Sequence, residues 1–494
     1  MQDPDNVDFN FDNSFARELK GFFVPCEASK APKPSLLILN QRLAEELSLD
    51  VSALQTSLGA EVFSGNRLPN GAIPLAQAYA GHQFGNFSPQ LGDGRALLLG
   101  EIIDTGGQRQ DVQLKGSGRT PFSRNGDGKA ALGPVLREYL ISEAMHALGV
   151  PTTRSLAAVT TGEKVFRETA LPGAVLTRIS TSHLRVGTFE FFAAQGKTDM
   201  VRRLADYAIS RHYPIAHNAG NPYLTFFKSV ASAQISLVAH WMSIGFIHGV
   251  MNTDNTTISG QTIDYGPCAF MDTFSPKTVF SSIDLRGRYA YGNQPAILMW
   301  NLMRLAETLV PLVHVEKDRA IELLIDEAKN FERSYEDIWL QYMSTKIGLN
   351  TKENRDFNLI QSLLKIMQEG EADFTLTFRR LSDAIRGEKA AVRKQFNNPT
   401  EYDLWESEWL SRLKQEPASF EVCAAKMDKV NPIYIPRNHK VEEALSMAVE
   451  NRNLSAFENL LSAVTAPFVE VAGRESFTEP APKTSVPYQT FCGT

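Results

Sequence analysis

The chain has 494 residues, 43% of them hydrophobic and 21% charged, an ordinary globular composition with length for roughly two to four domains. Its net charge of −6 argues against a nucleic-acid-binding surface as its main business, so no nucleic-acid partner is expected. No apolar run reads as long as the roughly 18 residues that a membrane span needs, and no membrane partner is expected either.

At the N-terminus Asp3, Asp5, Asp8 and Asp12 precede the first basic residue, Arg17, which is the wrong charge for a secretory or organellar leader. Residues 1–75 mix short apolar runs with Pro and Gly and read as an N-terminal extension. Residues 76–190 read as a β-rich lobe. Gly92-Asp93-Gly94-Arg95 is either a plain hairpin turn or a place where backbone N–H groups and Arg95 approach an anion. The mostly apolar run 96–103 predicts a buried strand, 104–108 a turn, and the alternation over 111–115 a half-buried strand that ends in Lys115.

The next segment carries Gly116, Gly118, Gly126 and Gly128; it is a flexible loop or a second phosphate cradle using Asp127 and Gly128. A helix follows, opened by Gly133-Pro134 and closed by Gly149-Val150-Pro151. Glu138 falls on its apolar stripe with Ile141, Met145 and Leu148, whereas Glu143 does not. A carboxylate on a buried stripe requires a cation, and Lys115 is placed to supply one, as a strand lysine does for a helix glutamate in protein kinases. Arg178 and Arg185 follow a strand-like run over 174–177 and read as phosphate clamps or as surface charge.

From about residue 190 the pattern turns helical: 199–213, 224–245, 296–309 and 318–342. Within this half, His248-Gly249-Val250 followed by Asn255 has the H-x-D-x-x-x-x-N spacing of a kinase catalytic loop, and Asp264-Tyr265-Gly266 stands in the place of D-F-G. Asn255 and Asp264 are hard oxygen ligands suited to Mg²⁺ on nucleotide phosphates. Val250 occupies the position of the proton-accepting aspartate, and valine accepts no proton. The nearest carboxylate is Asp254, read as the replacement base or as a turn residue. The order of these motifs predicts an α+β, protein-kinase-like bilobal fold: N-lobe 76–190, helical C-lobe 191–440, and a C-terminal helix with a mobile tail over 441–494.

The residues that run from Ala76 through His82-Gln83-Phe84-Gly85 to Arg95, together with Gln113–Gly118, the 248–255 loop, Asp264–Pro267, Asn431-Pro432 and Arg437-Asn438, resemble the selenoprotein O family, also called YdiU. That resemblance implies ATP bound in a flipped orientation and transfer of AMP to Ser, Thr or Tyr hydroxyls of other proteins. It implies a nucleotide site of Gly92, Gly94, Arg95, Lys115, Asp127, Gly128, Arg178, Arg185 and Asp264, with Mg²⁺ or Mn²⁺ on Asn255 and Asp264 and Asp254 as proton acceptor. It also implies a reactive residue near the C-terminus, here Cys492, for which Cys268 is the candidate disulfide partner. With Cys26 and Cys423 the four cysteines form neither a disulfide scaffold nor a metal knuckle, so a cytoplasmic protein with mostly free thiols is expected; the sequence leaves the oligomeric state open, with a monomer as the expectation. A conventional phosphotransferase and a non-enzymatic ATP-binding scaffold, the latter suggested by Val250, remain the alternatives.

Overall fold

The computed structural model describes residues 7–482 and 488–490. The eight strands of its main sheet are β1 (Phe23–Pro25), β2 (Ser35–Leu39), β3 (Leu75–Gln77), β4 (Ala96–Ile103), β5 (Arg109–Lys115), β6 (Ala130–Ala131), β7 (Arg154–Phe166) and β8 (Ala170–Ser180). The order is β1-β3-β4-β5-β8-β7-β2, with β6 also pairing β8, and every pairing is antiparallel. The segment 1–75, read from sequence as an extension, therefore supplies both edges of the sheet. It also covers one face with the helices Gln41–Glu46, Val51–Leu54 and Ser57–Ser64.

β4 is apolar at most positions because both its faces are covered over most of its length. Leu97 and Leu99 pack with Val112, Leu114 and Val175 on the side of those helices, whereas Leu98 joins the core of the helical half. In β5 the alternation puts Val112 and Leu114 on one face, leaving Gln113 and Lys115 on the other. The register sets Lys115 opposite Leu176 and Gln113 opposite Arg178, so Lys115, Gln113 and Arg178 share a face. The helix Leu132–Ala147 covers that face, packing Leu136, Tyr139 and Leu140 on Ala158, Ala174 and Leu176. Helices Asn438–Glu450 and Ser455–Val464 lie outside it in the same cluster.

The chain leaves the sheet after β8 and enters the helical half at Val186–Ala193. The stretch 318–342, read as one helix, is two: Lys317–Ala328 packs on Gln294–Val313, and Phe331–Lys346 packs on Pro222–Ser243. The turn between them redirects the chain from one partner to the other. By length and composition the segment Tyr291–Val313 qualifies as a membrane span, which corrects the reading that no apolar run does. Its Leu298, Leu302, Leu305 and Leu309 are buried in the main helical core. The described tail residues are docked: Thr490 N–H donates to Phe280 O at 2.8 Å, and its hydroxyl to Pro267 O at 2.7 Å.

Candidate active site

Between the Lys115 face of the sheet and the helical half lies a cleft of about 1380 Å³. Its floor is an ion cluster built from both halves. Lys115 Nζ lies 2.6 Å from Glu138 Oε2 and 2.9 Å from Asp264 Oδ1. Arg178 Nε donates to Glu138 Oε1 at 2.9 Å and its Nη2 to Asp264 Oδ1 at 2.6 Å. Arg185 Nη1 donates to Asp264 Oδ2 at 2.9 Å and to the backbone oxygen of Asp254 at 2.6 Å. Three cations thus meet on two carboxylates, and a third, Asp93, has its Oδ1 4.0 Å from Arg185 Nη2 at the edge of the cluster. Burial works to raise both acids, but Arg178 and Lys115 hold Glu138 below its usual range, and Lys115, Arg178 and Arg185 hold Asp264 well below it. Asp264 adopts a left-handed backbone with φ 63°, an unfavourable conformation for a residue with a β-carbon, and it sits where all three cations meet.

The roof is the 92–95 turn with the glycine-rich loop folded onto it. Gly92 has φ 70°, and a β-carbon there would lie 2.3 Å from Phe122 Cγ, so only glycine lets the loop seat. The Thr120 hydroxyl donates to Asp93 O at 2.6 Å, and the Ser123 hydroxyl to Gly94 O. After this excursion β6 resumes pairing with β8 where β5 left off. Gly94, Arg95, Asp127 and Gly128 line this part of the cleft. Asp127 is held by Arg167, with contacts of 2.9 and 3.1 Å, a partner that the sequence reading did not single out. Asp93, read as a turn residue, is buried; its Oδ2 accepts from Gln77 N–H at 3.0 Å, its Oδ1 takes no hydrogen bond but lies 4.0 Å from Arg185 Nη2, and burial pushes it up to about 6 despite that cation.

The loop 248–255 forms the opposite wall. His248 is buried and neutral: burial lowers its basicity, Nε2–H donates to Ile263 O at 2.9 Å, and Nδ1 accepts from Val250 N–H at 3.4 Å. Asn255 donates its amide to Val250 O at 3.0 Å. Asp254 is 7% exposed, with Oδ1 unpartnered and Oδ2 accepting from Gln83 at 3.3 Å. Burial pushes it up to about 6 despite Arg185. A short hairpin, Gly81–Gln83 and Asn86–Ser88, covers this wall. A β-carbon on Gly81 would sit 2.5 Å from Asp254 Oδ1, so the hairpin closes on the loop only because residue 81 is glycine. The His82 N–H donates to the Thr253 hydroxyl at 2.7 Å, and Glu190 bonds both the His82 ring and that hydroxyl. The Phe84 N–H and Tyr289 hydroxyl donate to Asn252 Oδ1 at 3.1 and 2.6 Å.

Lys115, Glu138, Arg178, Arg185, Asp254 and Asp264 are thus within one connected cluster, with Asn255 on the same wall. Gly92, Gly94, Arg95, Asp127 and Gly128 form the roof. Cys268 is buried behind the Asp264 loop, its backbone oxygen accepting from Arg137 at 2.8 Å; Cys492 lies outside the described residues. Glu143, off the predicted stripe, is buried as well, because Arg154 Nε and Nη2 grip it at 2.9 and 2.8 Å. Gly81, Gln83, Asp93, Arg167 and Glu190 had no assigned part in the sequence reading; only the glycines and short polar residues grouped over 81–86 hinted at one. Among the described residues no three His, Cys, Asp or Glu side chains form a metal cluster. The amide oxygen of Asn255 and the carboxylate of Asp264 suit a hard divalent ion that takes its remaining ligands from phosphates and water.

A family model described as Protein adenylyltransferase SelO matches residues 5–465. A protein of Cereibacter sphaeroides strain KD131, named protein nucleotidyltransferase YdiU, is 58% identical over 488 residues, spanning 98% of this chain and all of its own. Proteins of the same name from Rhizobium johnstonii and Rhodopseudomonas palustris strain HaA2 are 55% and 54% identical. The first covers 98% of this chain and 97% of its own; the second covers 99% of this chain and all of its own.

Proposed function

The chain belongs to the SelO protein adenylyltransferase family, and on that premise we propose that it transfers AMP from ATP to Ser, Thr or Tyr hydroxyls of other proteins. Its fold on this reading is a kinase's, with the sheet as N-lobe and the helical half as C-lobe. The observation that carries the proposal is the displaced carboxylate. Val250 stands where a phosphotransfer base would be, while Asp254 is buried beside the ion cluster with one oxygen unpartnered.

ATP binds with its phosphates over Lys115, Arg178 and Arg185, in the reverse sense to a kinase, so that the α-phosphorus faces Asp254. Gly92, Gly94, Arg95, Asp127 and Gly128 close over the nucleotide. The acceptor oxygen attacks the α-phosphorus, its proton passes to Asp254, and the bond from that phosphorus to the pyrophosphate oxygen breaks. A buried carboxylate raised to about 6 is a stronger base than an exposed one and is still largely ionised at neutral pH. The three cations offset charge that develops on the phosphates. Asn255 and Asp264 would hold Mg²⁺ or Mn²⁺, which when bound would add Lewis-acid neutralisation of the same oxygens.

Incubation with acceptor protein and ATP labelled at either the α- or the γ-phosphate tests the reading. Label retained from the α-position supports it. Label retained only from the γ-position makes the chain a conventional phosphotransferase, and ATP binding without transfer makes it a scaffold.

A further inference from the structure

The surface that surrounds the hairpin over Asp254 is cationic and aromatic, on a chain whose net charge is negative. The Trp300 ring lies 5.1 Å from that of His82, and Phe87, 41% exposed, lies 4.9 Å from His82. Two guanidinium groups flank Trp300, Arg288 at 5.0 Å and Arg304 at 4.9 Å from the ring centre. Arg304 has Glu307 at 2.7 Å, but among the described residues no carboxylate lies within 4.0 Å of the Arg288 guanidinium. The Nε of each arginine is buried without an acceptor.

Arg288 is fixed from behind instead. Asp284, itself buried, accepts from the backbone N–H groups of Arg288 and Tyr289 at 2.9 and 2.7 Å. The backbone is thus held in a turn, and the guanidinium lies over the Trp300 and Tyr289 rings with no carboxylate beside it among the described residues. It is also close to the chemistry. A β-carbon on Gly85 would lie 3.5 Å from Arg288 Cζ, and Gly85 is two residues from Gln83, which donates to Asp254.

We propose that this rim docks the acceptor protein and recognises an acidic side chain near the target hydroxyl, with Arg288 as its main ligand, Arg304 beside it and Phe87 as an apolar contact. The proposal rests on the reading of Asp254 as the proton acceptor. A carboxylate seated on Arg288 gains a charge-assisted, bidentate contact that a neutral isostere lacks, which makes the rim a specificity device.

Fluorescence anisotropy of a labelled peptide with one tyrosine flanked by glutamates, against the same peptide with glutamines, tests it on the full chain. The glutamate peptide is expected to bind at least tenfold tighter. Arg288→Gln should weaken it about fivefold, and Arg304→Gln by a similar or smaller factor. Arg319→Gln, at an exposed arginine paired with Glu322 on the neighbouring helix, should change nothing, and ATP binding should persist in every variant as the check on folding. Arg288→Glu should transfer the preference to a lysine-flanked peptide, which a merely structural residue would not do. Equal binding of the glutamate and glutamine peptides, or an unaltered Arg288→Gln variant, overturns the proposal. Label from α-labelled ATP is followed in the same samples. A binding preference without transfer leaves the docking surface standing and removes the AMP-transfer reading; transfer without a preference does the reverse.

Discussion

Asp254→Asn removes the proposed base and keeps its shape, so it separates chemistry from folding. Loss of a general base lowers the rate about a hundredfold to ten-thousandfold, or about 3–5 kcal/mol on the barrier. Stability should move the other way. Burial raises Asp254 from 3.8 to about 6, so the folded chain binds this proton more tightly than the unfolded one. The ionised group therefore costs about 3 kcal/mol above pH 6, a penalty that fades as pH falls through 6 towards 3.8. The neutral asparagine escapes that cost, and Gln83 still has an oxygen to donate to. Transfer of α-label and urea unfolding in EDTA, both at pH 7.5, give the two readouts. Slow transfer with higher stability is expected; slow transfer with lower stability, or transfer at the wild-type rate, refutes the reasoning.

Glu138→Gln leaves Lys115 and Arg178 with Asp264 as their only carboxylate among the described residues, and should cost about 3–5 kcal/mol in urea unfolding; a change below 1 kcal/mol would show the cluster to be loosely held. Gly81→Ala forces a methyl to within 2.5 Å of Asp254 Oδ1, so kcat should fall about tenfold or more while ATP affinity, from filter binding, holds. Asp264→Ala should abolish transfer by removing a metal ligand and the anchor of three cations, and residual transfer at the wild-type rate would unseat that assignment. Lys346, lying over Phe378, is brought from 10.5 down to about 7 by burial, so its charge destabilises the fold fully below pH 7 and not at all above 10.5. Stability should thus rise between pH 7 and 9.5, and Lys346→Met should add up to about 4 kcal/mol at pH 7; a variant no more stable than wild type would count against a buried charge there.

Local pattern reached the central strands because their periodicity is set by burial on the spot. The run 96–102 is covered on both faces, and Lys115 alternates with Leu114 across one sheet. It did not reach β1 and β2, which are three and five residues long and pair with strands far along the chain. Nor did it find the break after Ala328, where both helices are amphipathic and only their different packing partners part them. In the site, Lys115 and Glu138 were legible because a carboxylate on an apolar stripe demands a cation. Gly81 and Gln83 act on a loop about 170 residues away, and Arg167 meets Asp127 only because the 116–129 loop folds back. No window of sequence contains either contact. The burial of Asp93 was not legible for the same reason: it depends on the loop that folds over the 92–95 turn.

AMP transfer requires that the reacting phosphorus be the α one. The small product released as an acceptor protein is modified with ATP decides this: pyrophosphate is expected, one for each acceptor hydroxyl esterified with AMP, and ADP released alongside a phosphorylated acceptor would overturn it.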